Sequence, residues 1–174
     1  MRIAMTLVGI SCSILGADTP ASSALRIDTG AVIQADAESV AHIEAAFNRA
    51  EDAIAKKNLD ALMAIYSEHY RDQDRTKAEM REIWKRFFEQ YDRIETLHAF
   101  SRIIVTPGTP PLADITCTGA LWATVHGTDQ RENLSLWAGD IHHLRDEDGA
   151  WRIVGQGRNG LKRPEFGKAP PPLF

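Results

Sequence analysis

The chain has 174 residues, a formal net charge of −4 and two cysteines. That mildly acidic balance leaves no basic footprint for nucleic acid, and two cysteines are too few for a disulfide-stapled scaffold. Stability must come from a packed core, for which one domain of this length suffices.

Residues 1–24 read as a secretory signal peptide. Arg2 is a minimal positive start, Ile3 to Ala17 is uncharged and mostly apolar or small, and Ser22-Ser23-Ala24 offers a small-x-small cleavage site. The apolar run is shorter than the roughly 20 residues of a spanning helix. Cleavage near Ala24 and export, periplasmic or secreted, are therefore the expectation, with an uncleaved anchor or a lipid on Cys12 as the alternative. No other membrane contact is expected. Removing the segment deletes Arg2 and Asp18, one charge of each sign, so the mature chain keeps its net charge of −4. Cys117 is then the sole thiol, expected as a small buried hydrophobe.

Residues 25–36 read as a weakly structured lead-in, with at most a short strand over Ala31-Val32-Ile33. A first helix starts at Asp36, a good N-cap, and aligns Val40, Ile43, Phe47, Ala50 and Ile54 in one apolar stripe. Asn58 breaks and recaps the chain into a short second helix carrying Leu59, Leu62, Met63 and Tyr66. Thr76 and Glu79 form a capping box for a third helix, whose broad apolar face holds Met80, Ile83, Trp84, Phe87, Phe88 and Tyr91. On that helix the basic line Lys77, Arg81, Lys85 is interleaved with Glu79, Glu82 and Glu89, a solvated mixed face.

Strands follow: Ile94 to Val105, Ile115 to His126, Asn133 to Arg145 and Trp151 to Arg158, punctuated by Pro107-Gly108-Thr109-Pro110-Pro111, Gly127-Thr128-Asp129-Gln130 and Asp146-Glu147-Asp148-Gly149. Residues 159–174 read as a Pro-rich C-terminal tail. Helices first and strands second predict an α+β fold, with three N-terminal helices packed on a mainly antiparallel sheet.

The third strand carries the most suggestive chemistry. Strict alternation puts Leu134, Leu136, Ala138, Asp140, His142 and Leu144 on one face, so Asp140 could orient His142 as a general base. The alternative is a structural pair in the core. His142 and His143 point to opposite faces and cannot share a metal, so no metal site is expected. After the second helix, an extended His69–Asp74 would align Tyr70, Asp72 and Asp74, a hydroxyl beside carboxylates as enolisation requires; a polar loop is the alternative. Trp122 and His126 share a strand face with Thr118 and Thr124, suited to a pocket rim or a dimer surface. The chain has no Gly-x-Ser-x-Gly elbow, P-loop, Cys-x-x-Cys or dinucleotide fingerprint, so no cofactor is expected.

Residues 58–67 (Asn58-Leu59-Asp60-Ala61-Leu62-Met63-Ala64-Ile65-Tyr66-Ser67), the capped third helix and the closing Asp148-Gly149-Ala150-Trp151-Arg152-Ile153-Val154 resemble the nuclear transport factor 2-like superfamily, in its SnoaL-like and ketosteroid-isomerase-like branches. The resemblance covers residues 37–158. It implies a sheet curled into a cone with an internal pocket, in a family of isomerases, cyclases, dehydratases, epoxide hydrolases, binders and dimerisation modules. It also implies Asp74 at the isomerases' proton-shuttling position, although Arg75 follows where they tend to have proline. The third-strand polar position falls near Asp140 or His142. The first helix lacks the oxyanion-hole tyrosine of ketosteroid isomerases.

These readings combine into one expectation: an exported cone domain, homodimeric through its sheet, that binds a small, largely apolar molecule. Trp84, Phe88 and Leu136 would form pocket walls, Trp122 and His126 further contacts, and Asp140, His142, Tyr70 and Asp74 the polar or catalytic groups. The alternatives are a cofactor-free isomerase or lyase with His142 as base, and a structural dimer module without ligand.

Overall fold

The computed structural model describes residues 24–73 and 75–157. The signal segment up to Ser23, the tail and Asp74 lie outside them. Elements run β1 (Ala24–Gln34), α1 (Ala37–Ala55), α2 (Leu59–Met63), β2 (Arg71–Asp72), β3 (Arg75–Thr76), α3 (Lys77–Gln90), β4 (Tyr91–Thr106), β5 (Leu112–Val125), β6 (Arg131–Glu147) and β7 (Ala150–Gly157). The large sheet has the order β1-β4-β5-β6-β7, with β1 parallel to β4 and the other neighbours antiparallel. This is the α+β architecture expected: a few helices on a curved, mostly antiparallel sheet.

Local chemistry sets the helix ends. The Asp36 carboxylate accepts from the Ser39 amide, and the Asn58 side chain accepts from the Ala61 amide. Between those helices Lys57 takes φ 54°, the left-handed kink that ends α1. Thr76 and Glu79 form the complete capping box, and Tyr91 passes straight from α3 into β4. The stretch after α2 is held to the far sheet edge: Ser67 donates its amide to Ile153 at 2.9 Å, and Ile153 donates to Ile65 at 2.7 Å.

The lead-in departs from expectation. It is an 11-residue edge strand, not a short one. Leu25 and Ile27 alternate onto the core side, and the register shifts between Ile27 and Val32, across Asp28-Thr29-Gly30-Ala31. That polar, glycine-bearing interruption hides the strand from a periodicity reading. The return to a parallel neighbour needs a long crossover, which the three helices supply.

Bulges decide what faces inward. Cys117 pairs with Asp140 but Gly119 pairs with Trp137, so β6 carries one extra residue over Ala138-Gly139. Gly139 has φ 69°, the conformation glycine adopts most cheaply in such a bulge. One extra residue reverses the in–out alternation. Trp137 therefore packs inside on one side of the bulge, and His142 and Leu144 on the other, all in the core. Leu136, expected as a pocket wall on the His142 face, is 62% exposed on the outer face. The strict alternation read from the sequence fails at that bulge.

Candidate functional site

The concave face of the sheet, covered by α1 and α3, collects polar groups that a core does not ordinarily hold. Glu51 projects from α1 four residues after Phe47 and three before Ile54, so helical spacing carries it inward with them. His98 alternates along β4 with Ile94, Thr96 and Phe100. The two meet: His98 Nδ1 lies 2.6 Å from Glu51 Oε1, with side-chain exposures of 0% and 2%. The His98 ring also lies 5.1 Å from Trp137 and 5.9 Å, edge-on, from Phe47. Trp137 Nε1 in turn donates to Cys117 Sγ at 3.4 Å.

His142 is fully buried, 5.5 Å from the Phe47 ring and 6.5 Å from His98. Burial pushes its pKa down to about 3, helped by the charges of His98 and His143, so it is neutral at ordinary pH. A neutral imidazole presents one donor and one acceptor. Neither nitrogen has a hydrogen-bond partner among the described residues. Its ladder partner across β6 and β7 is Gln156, whose Nε2 is likewise buried without one, as is Thr96 Oγ1 on β4. Each such group costs about 1–3 kcal/mol when buried and unsatisfied, so the cluster stands out.

The depressed pKa makes stability depend on pH. In the unfolded chain His142 takes up a proton near its ordinary value of 6.5, and in the folded chain only near 3. Between those limits the unfolded state binds more protons, so stability falls as pH drops from about 6.5 toward 3. One such group contributes a slope of up to about 1.4 kcal/mol per pH unit. Urea titrations across that window should show the slope diminished in His142→Leu; an unchanged slope would remove His142 as its source.

The sequence-derived residues fall in several places. Asp140 pairs in the ladder with Cys117 and is half-buried on the concave face with His142, as alternation required. His142 makes no hydrogen bond to it, so the expected orienting contact is not formed, and the buried carboxylate–imidazole contact is Glu51–His98 instead. Tyr70 is buried, stacked edge-on against Tyr66 at 5.0 Å. Trp84 donates Nε1 to the Tyr66 hydroxyl at 3.1 Å, and Phe88 packs beside it in the same core. Trp122 alternates with buried Leu121 and Ala123, and its ring lies under the Arg131 guanidinium at 5.1 Å. His126 is exposed and sits 2.7 Å from Asp92. Leu136, Trp122 and His126 are thus apart from the concave cluster, and Asp74 lies outside the described residues. Among those residues no group of three or more His, Cys, Asp and Glu side chains stands ready to hold a metal ion.

Glu51, His98 and Gln156 were not singled out from the sequence. The signal for Glu51 was present, a carboxylate inside an otherwise apolar helical stripe. His98 was legible as the one imidazole on the inward period of β4. Gln156 was hidden by the register shift between β6 and β7, where Val154 is the extra residue.

Neither a protein-family model nor a curated protein matches the sequence. Solved structures match in shape. A conserved protein from Planctomyces limnophilus aligns with TM-score 0.58 at 16% identity, over 68% of this chain and 92% of its own. Aln2 from a Streptomyces species aligns with TM-score 0.56 at 8% identity, over 71% and 91%. A ketosteroid isomerase-like protein from Erwinia carotovora atroseptica aligns with TM-score 0.52 at 18% identity, over 70% and 95%. At such identities the likeness is one of fold alone.

Proposed function

We propose, on the premise that the chain has the nuclear transport factor 2-like cone fold, that its concave interior binds a small, largely apolar molecule bearing a neutral polar group. One observation carries this reading: the two ring nitrogens of His142 are buried, uncharged and without a partner among the described residues, beside the amide of Gln156. A carbonyl or hydroxyl of a ligand would satisfy them, and the Phe47 ring 5.5 Å from His142, with Phe100 against Phe47 and Trp137 against His98, suits an apolar body. A neutral histidine offers no charge to an anion.

The test is to purify the mature chain, extract it with organic solvent for mass spectrometry, and screen small carbonyl and epoxide compounds by thermal shift. The expected result is a retained or stabilising compound whose binding is lost in His142→Leu. That substitution should meanwhile leave the ligand-free protein as stable or about 1–2 kcal/mol more so, since it removes unsatisfied polar atoms. A wild type that binds nothing in either assay would leave the structural dimer module as the better reading.

A second reading is supported by the Glu51–His98 contact. A carboxylate 2.6 Å from Nδ1 fixes the imidazole tautomer and holds the ring in place. His98 could then accept a proton from a carbon beside a carbonyl and return it elsewhere on the substrate, a cofactor-free isomerisation or dehydration. Under this reading Glu51→Gln keeps ligand binding and loses turnover; a variant that turns over like wild type would exclude it.

We also propose export after cleavage near Ala24, which would leave β1 nearly whole at the sheet edge, and homodimerisation through the outer sheet face. The exposed Leu136 supports the latter. Leu136→Asp should convert a dimer to monomer in light scattering; a wild-type monomer would overturn it.

A further inference from the structure

α1 has two buried faces. Phe47, Glu51 and Ile54 cover the concave sheet, while Ala46, Ala50 and Ala53 line a cleft of about 480 Å³ closed by α2 and the start of β7. The small side chains leave this volume open. Its base is Trp151 and Ile65, both buried, and its rim is charged.

The charges do not cancel. Three cations line the cleft: Arg49, Lys56 and Arg152. Lys56 Nζ is 2.8 Å from Asp52. Arg152 Nη1 donates to the Ala64 carbonyl at 2.7 Å, and its Nε lies 3.4 Å from Glu147. Two of the three cations thus have a carboxylate, and Arg49 pairs with none among the described residues. One uncompensated guanidinium at the rim of an apolar cleft is found on a chain whose net charge is −4.

From this we infer a second binding site, separate from the cone interior, for an apolar monocarboxylate. Its body lies over the alanines and Trp151, and its carboxylate is gripped by Arg49, whose planar fork matches two carboxylate oxygens. The volume is within the usual range for a small-molecule site. A carboxylate gains a charge-assisted pair with Arg49 that a neutral ligand lacks.

The test uses the full ¹⁵N-labelled chain titrated with 2-naphthoate and, separately, with the neutral 2-naphthamide. Naphthoate should shift the amides of Ala53, Ala64 and Trp151, and the amide analogue should bind about tenfold more weakly. Arg49→Glu, an exposed substitution, should weaken naphthoate about tenfold or more, and Ala61→Trp should block it by filling the cleft. His142→Leu should leave it unchanged, which separates this site from the proposed cone ligand. Equal binding of the two compounds, shifts centred on His98 and Trp137, unaffected Arg49→Glu and Ala61→Trp variants, or no shift at millimolar naphthoate would each overturn the inference.

Discussion

Glu51→Ala is expected to lower the unfolding free energy by about 3–5 kcal/mol, as the loss of one partner of a buried pair does. The substitution removes the carboxylate that His98 meets at 2.6 Å and opens a void beneath α1, where both side chains are almost wholly buried. Either effect alone is costly, because a buried imidazole loses its carboxylate partner and the void left by the side chain closes only in part. Glu51→Gln keeps the shape and one hydrogen-bonding oxygen, so it should cost less than half as much. Urea unfolding of the three proteins measures this directly. A Glu51→Ala variant within about 1 kcal/mol of wild type would show that the contact is not held in solution.

Gly119→Ala carries the second large effect, for a steric reason. A Cβ at position 119 would lie 2.2 Å from the Leu97 carbonyl oxygen and 2.3 Å from Cζ2 of Trp137. The first is backbone of the neighbouring strand β4, and the second is a large ring fixed by its contacts with His98 and Cys117. Neither can yield cheaply. The expected loss is about 3 kcal/mol, at the upper end for an overpacked core. For a domain of this size that lowers the melting temperature by about 10 °C. Near-ultraviolet circular dichroism should change with it, since the Trp137 ring must shift. An unaltered spectrum and melting temperature would mean that the ring does not rest on Gly119.

Much of the architecture was legible in the residues, and the reasons are local. α1 and α3 were readable because apolar residues recur at three and four, and because Asp36 and the Thr76–Glu79 box mark their starts. Strands β4 to β7 were readable from alternation and from the turns between them. The lead-in strand escapes a reading by periodicity because Asp28-Thr29-Gly30 interrupts its alternation, and because a parallel partner about 70 residues on leaves no local trace. Asp140 and His142 do share the concave face, yet the contact that was expected to join them is absent. One residue of bulge turns Leu136 to the outer face, away from His142.

The fold class is written along the chain: capped amphipathic helices, then a sheet that buries its apolar period beneath them, the cone that the resemblance implied. Those features follow from nearest neighbours along the chain, where spacing and propensity act without help. Which polar residues are enclosed depends on contacts between distant segments. Glu51 and His98 are 47 residues apart, and their meeting depends on how α1 lies across β4. The inward turn of both Trp137 and His142 depends on one extra residue opposite Thr118, a feature of strand pairing that alternation along β6 alone cannot express.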